Sequence, residues 1–180
     1  MKIKRFVCNA FQENCYVVSD GKECVIIDPG FGNDAELAAL YDYLDAEGLA
    51  PTAILLTHSH WDHTLGIQAI KEHYGIPLVS ESPIFQLIST PGHTPDSVCY
   101  YNEAEHVLFT GDTLFAGSIG RTDLPGGDYD AEIVSIMEKL IFLPGETQIF
   151  PGHGPSSTIA RERMSNPFLE PFNEKEELPD

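Results

Sequence analysis

One stretch limits the possible folds more than any other: residues 53–63, where an apolar run passes without a break into Thr57-His58-Ser59-His60-Trp61-Asp62-His63. Residues 53–56 read as a buried strand and the polar residues after them as a loop leading into a helix. Successive side chains on a strand point to opposite faces, so imidazoles at i and i+2 can aim at one point. Asp62 and His63, at the start of the next helix, approach that point from the side. A chance polar loop rarely combines three histidines and an aspartate after a buried strand, and this geometry suits two adjacent metal ions.

Three further candidate ligands stand in the same kind of place, at the end of an apolar run and in a glycine-rich turn. They are His93 in Thr90-Pro91-Gly92-His93-Thr94, Asp112 in Thr110-Gly111-Asp112-Thr113, and His153 in Pro151-Gly152-His153-Gly154. Seven nitrogen and oxygen ligands are too many for one tetrahedral zinc. They fit two ions with three terminal ligands each and one bridging carboxylate, for which Asp112 is the natural choice. His73 and His106 lie beside no other ligand type and read as structural.

The rest of the chain alternates strand and helix patterns. Strands are expected at 3–8, 15–19 and 24–27, with Asp20-Gly21 as a hairpin turn. A helix follows, opened by Asn33 with Glu36 in capping-box spacing and stopped by Gly48. A second helix, marked by Leu65, Ile70 and Tyr74, ends at Gly75 and Pro77. Short strands then dominate, at 78–79, 85–89, 98–101 and 107–110, before a helix at 131–140 and a strand at 147–150. The class is α/β with mixed sheets. With 180 residues, 42% of them hydrophobic, one core and one domain are expected, covering 1–168, with 169–180 as an acidic solvated tail.

The formal charge of −18 argues against DNA or RNA, which demand clustered Lys and Arg. No apolar stretch is long enough for a membrane span, and no signal peptide is visible, so no membrane partner is expected. Four cysteines, without CxxC spacing, read as reduced and mostly buried, and a cytoplasmic location follows.

The run His58-Ser59-His60-Trp61-Asp62-His63 resembles the HxHxDH signature of the metallo-β-lactamase superfamily, followed in order by that family's later His, Asp and His motifs. The resemblance implies a four-layer αββα sandwich with the site at one edge between the sheets. It implies that His58, His60 and His93 hold one metal and Asp62, His63 and His153 the other, with Asp112 bridging. Phe11-Gln12-Glu13-Asn14-Cys15-Tyr16 and the stretch from Thr110-Gly111-Asp112-Thr113 to Arg121-Thr122-Asp123 resemble the small, single-domain glyoxalase II-like branch. The substrate implied is a small-molecule thioester, attacked by a hydroxide formed between two divalent cations, with Asp62 orienting it. Zinc, iron and manganese all accept such ligation, zinc being the first expectation. The commonest zinc β-lactamases carry cysteine where Asp112 stands, which disfavours antibiotic hydrolysis.

Two departures from the family stand out. The larger glyoxalase II enzymes add a basic C-terminal region for glutathione, whereas this sequence runs into acidic residues soon after Asn166-Pro167-Phe168. The family also places a few tens of residues between the strand at 78–79 and the strand before His93, where here only Ser80 to Pro83 intervene. That loss leaves a sheet edge exposed and the pocket more open, which points equally to a homodimer, to an omitted disordered segment or to reduced activity. Two other readings fit the same residues: a persulfide dioxygenase with one iron on His58, His93 and Asp112, and a non-catalytic metal-binding relative. Asp28 either holds a ligand histidine or forms a turn, Trp61 and Phe115 either line the pocket or pack, and Arg121 and Asp123 pair with each other or brace the loop after Asp112, a reading favoured over substrate contact.

Overall fold

The computed structural model describes residues 1–172. Its elements in chain order are β1 (Lys2–Cys8), β2 (Glu13–Asp20), β3 (Glu23–Ile27), α1 (Asp34–Glu47), β4 (Ala50–Leu55), α2 (Ile67–Tyr74), β5 (Leu78–Val79), β6 (Gln86–Ser89), β7 (Val98–Asn102) and β8 (Val107–Gly111). There follow β9 (Leu114–Phe115), β10 (Ser118–Ile119), α3 (Tyr129–Ser135), β11 (Gln148–Pro151), β12 (Ser157–Thr158) and α4 (Ile159–Ser165). Two five-stranded sheets form, in the orders β1-β2-β3-β4-β5 and β12-β11-β8-β7-β6, with β9 and β10 as a separate ribbon. Each sheet mixes parallel and antiparallel pairs.

Period-2 alternation explains the layering. On β2 and β3, Tyr16, Val18, Val25 and Ile27 face the second sheet and meet Tyr100, Val107 and Phe109 across the middle of the sandwich. Their neighbours Cys15, Val17, Cys24 and Ile26 face outward against Leu40 and Leu44 of α1 and Ile70 of α2. On the other side Cys99, Leu108 and Ile149 pack against Ile136, Leu140 and Ile159. Three apolar layers separate four layers of backbone, so the fold is the αββα sandwich implied by the resemblance.

Local signals set the helix ends. Asn33 Oδ1 accepts from Glu36 N at 3.0 Å, and Gly48 closes α1 in the left-handed region at φ 63. The expected helix at 131–140 is instead α3, capped by Asp128, running into a π-helical turn at Ile136–Leu140. The helix α4 was not expected from its short, charged sequence. Tertiary bonds hold it: Glu162 is buried and accepts from Gly117 N, Ser157 Oγ and Asn166 Nδ2. Leu169, 1% exposed, belongs to the core, so the domain extends beyond the boundary set at 168. Most of the expected acidic tail lies outside the described residues. Among the described residues no helix is long and apolar enough to cross a membrane.

The shortened connection crosses directly from one sheet to the other. The chain leaves β5 at the edge of the first sheet, makes a tight turn in which Ser82 pairs with Phe85, and enters β6 at the edge of the second. Leu78 and Leu87, on these edge strands, are exposed. The crossing leaves a cavity of about 200 Å³ at this end of the sandwich, lined by Val18, Cys24, Val25, Ala53 and Ile84.

Candidate metal centre

At the opposite end of the sandwich, β3, β4, β8 and β11 all stop, and the turns that follow them converge. His58 to His63 follow β4, Asp112 follows β8, and His153 follows β11; His93 leads out of β6. The ligand atoms of His58, His60 and His93 lie within 4.8 Å of one another, and so do those of Asp62, His63 and His153. Asp112 stands between the groups, with His93 Nε2 3.6 Å and His153 Nε2 3.5 Å from its Oδ2 and His63 Nε2 3.4 Å from its Oδ1. All seven residues expected from sequence are brought together. His73 and His106 are elsewhere: His73 stacks on Tyr41, and His106 lies 3.8 Å from Glu146.

The imidazoles are held in the tautomer that metal ligation requires. A carbonyl oxygen can only accept, so the contacts of His93 Nδ1 with Arg121 O (2.7 Å) and of His153 Nδ1 with Phe11 O (3.1 Å) place the proton on Nδ1 and the lone pair on Nε2. Thr57 gives its hydroxyl proton to Asp28 Oδ2 at 2.6 Å, so His58 Nδ1 must donate to Thr57 Oγ1 at 3.1 Å. His63 Nδ1 donates to Asp28 Oδ2 at 3.2 Å. Asp28, in the left-handed region at φ 50, therefore does both things weighed for it: it shapes the turn and holds a ligand histidine, and through Thr57 it orients a second.

A cation fits this arrangement. His58 Nε2, His63 Nε2 and Asp112 Oδ1 are buried with no hydrogen-bond partner, a cost that an ion between them removes. An ion bonded to N or O at about 2.1 Å keeps tetrahedral ligands about 3.4 Å apart. The 3.3 Å from His153 Nε2 to Asp62 Oδ2 and the contacts of Asp112 have that scale. His60 Nδ1 and His93 Nε2, 2.9 Å apart, aim at a common point. Burial, aided by His63, pushes His58 down to about 4, which keeps it neutral and ready to ligate. Burial opposes ionisation of Asp112, yet the surrounding histidines, His63 first, hold its carboxyl well below the usual range.

Supporting residues absent from the sequence reading complete the site. Glu132 of α3, fully buried, accepts from His93 N at 2.9 Å, and burial pushes its carboxyl up to about 8. A Cβ on Gly92 would collide with Glu132, as one on Gly152 would with Asp112 and His63, so both turns require glycine for close approach. Asn9 Nδ2 bonds both Gly30 O (2.8 Å) and Asp62 O (2.9 Å). Glycine at 92 and 152 was the visible signal; nothing in the sequence pointed to Glu132 or Asn9.

A cleft of about 440 Å³ opens onto the centre, with Phe11, Trp61, Phe115, Ile119 and Leu124 among its walls. Trp61 and Phe115 thus line the pocket, and Arg121 forms a bidentate pair with Asp123 at 2.7 and 2.8 Å.

The sequence profile of the metallo-beta-lactamase superfamily matches residues 8–87 and 80–153, two pieces that meet at the shortened connection. The chain is 33% identical to hydroxyacylglutathione hydrolase GloC of Haemophilus influenzae, over 94% of this chain and 98% of that one. That alignment runs to 212 positions against 180 residues here, in keeping with a lost segment. Among solved structures, BLEG-1 B3 metallo-beta-lactamase superposes with a TM-score of 0.84 at 37% identity, covering 93% of this chain and 99% of that one. TTHA1623 in a di-iron-bound form gives 0.82 at 33% identity, covering 92% and 100%.

Proposed function

We propose, from the premise that this chain belongs to the metallo-β-lactamase superfamily and is a metal-dependent hydrolase, that it cleaves thioesters of the glyoxalase II kind into carboxylate and thiol. The observation that carries the reading is the make-up of the cleft. Among the described residues lining it, every imidazole and carboxylate side chain (His60, Asp62, His93, Asp112, His153) is a candidate ligand. The only other titratable side chain is Arg121, which stays protonated. No general acid is left over for the leaving group. An alkoxide or amide anion needs such a proton, whereas a thiol of pKa about 8.5 departs readily as thiolate.

His58, His60 and His93 would hold one divalent ion and Asp62, His63 and His153 the other, with Asp112 between them. Bound there, the ions supply Lewis-acid polarisation of the carbonyl and make water a nucleophile near neutral pH. Asp62 is the residue we assign to catalysis. Burial disfavours its charge, but His153 and His63 hold its carboxyl below the usual range, so it stays an acceptor and orients the attacking water. Asp28, Thr57 and the carbonyls of Phe11 and Arg121 keep the imidazoles aligned. The apolar side chains of Phe115 and Ile119 line the approach to the scissile bond.

The test is metal content on protein purified without added metal, followed by S-lactoylglutathione hydrolysis on the same sample. Metal with turnover, both lost in Asp112→Ala, supports the reading. One iron per chain with oxygen uptake on glutathione persulfide, or turnover of a chromogenic cephalosporin alone, overturns it.

A further inference from the structure

Phe11 and Trp61 are 57% and 55% exposed, yet they touch edge to face, with ring centroids 4.8 Å apart, at the mouth of the cleft. Leu124, also exposed, faces the same space with Phe115 and Ile119. Large apolar side chains grouped around one opening mark a binding surface.

The Phe11 ring is held in place by design of its loop. Asn9 and Gln12 both adopt left-handed backbone, at φ 50 and 55, which for glutamine is strained. Asn9 Oδ1 accepts from Phe11 N at 2.8 Å while its Nδ2 ties the loop to Gly30 O and Asp62 O. Phe11 O in turn receives His153 Nδ1. The loop that orients a candidate ligand therefore also presents the ring.

The charges at the opening point the same way. A glutathione arm carries two carboxylates and one ammonium, and its capture calls for free cations. Among the described residues lining the cleft, Arg121 is the only Lys or Arg, and its charge is paired with Asp123 through the Nε and Nη2 edge of the guanidinium. The chain as a whole carries a formal charge of −18.

We infer that the cleft selects neutral thioesters bearing an aromatic or similarly bulky apolar group, gripped by Phe11 and Trp61, over the thioesters of glutathione. The inference rests on the thioesterase reading and narrows its substrate class.

Four substrates decide it: lactoyl and benzoyl thioesters, each on glutathione and on N-acetylcysteamine. S-benzoyl-N-acetylcysteamine is expected to exceed S-lactoylglutathione in kcat/KM by roughly tenfold or more, and Trp61→Ala and Phe11→Ala to shrink that ratio. Trp61 is the single tryptophan of the chain, so its fluorescence reports occupancy directly. The uncleavable S-benzyl-N-acetylcysteamine should quench it at lower concentration than S-benzylglutathione. Preference for the glutathione carrier with both acyl groups overturns the inference and leaves the thioesterase reading standing. No turnover of any of the four by metal-loaded protein overturns that reading instead, and the fluorescence order still decides what the cleft prefers.

Discussion

Where β3 and β4 stop, the sandwich closes over a dense set of buried polar groups, many of them tied by specific bonds: Asp28 to Thr57 and His63, Glu132 to His93, Asn14 to the carbonyls of Pro151 and Gly154. At the other end, where β2 turns into β3 and residues 80–85 cross between the sheets, Val18, Cys24, Val25, Ala53 and Ile84 line an open cavity together with Asp20, Glu23, Thr52 and Glu81. The first end is held by directional bonds, which constrain both the separation and the angle of donor and acceptor. The second is held by non-directional contacts, which tolerate a void at a cost in stability but not in geometry. A chain can thus lose a segment from one end of this fold and keep the chemistry at the other.

The sharpest test of that contrast is Asp112→Ala, which removes the carboxylate that stands between the two groups of candidate ligands. A fall in kcat/KM on the order of 10³-fold is expected, the kinetic equivalent of several kcal/mol, together with loss of bound metal. Next comes Glu132, which reaches the candidate ligand His93 through its backbone and not its ring. Glu132→Ala should lower metal affinity or activity about 10- to 100-fold, measured by metal titration and steady-state rates.

The same residue gives the site end a pH signature. Folding raises the Glu132 carboxyl from near 4.5 to about 8, so the folded chain holds a proton that the unfolded chain has lost. Its contribution is complete below about 4.5 and declines as pH rises through about 8. Glu132→Gln should flatten stability across that window in denaturant titrations; an unchanged slope there would break the assignment.

At the far end the expected changes are smaller and opposite in sign. Ala53→Val, adding methyl groups beside the cavity, should stabilise by about 0.5–2 kcal/mol, raising Tm by a few degrees with kcat/KM unaltered. Lost activity would show that the two ends are coupled. The smallest effect concerns Cys24, buried beside the cavity with its thiol pushed up to about 11 by burial. All four cysteines should resist alkylation in the native state, and Cys24 should be the first to react as temperature rises, ahead of Cys8 and Cys15.

What could be read in the sequence divides along the same line. The seven candidate ligands were visible because each belongs to a local pattern, an apolar strand ending in a glycine-rich or histidine-rich turn, and strand ends are where the fold gathers side chains. The capping of α1 by Asn33 was visible for the same local reason. Glu132 was not, since a glutamate in a helix ordinarily faces water, and only the packing of α3 under Gly92 brings it to His93 N. The helix α4 and the tie from Asn9 to Asp62 likewise depend on contacts between segments far apart in the chain. The widened turn at Ile136–Leu140 leaves no mark on the apolar periodicity that announced a helix there.

The crossing through residues 80–85 carries no candidate ligand and no wall of the metal-site cleft, so its length is a free variable for inheritance and for engineering. Closing a longer loop costs free energy that grows only with the logarithm of its length. A foreign segment spliced after the exposed Glu81 would therefore travel with the hydrolase as passenger sequence. In those terms the tight turn is a socket: the place where a reporter, a tether or a regulatory module can be plugged into this scaffold without rewiring its catalytic end.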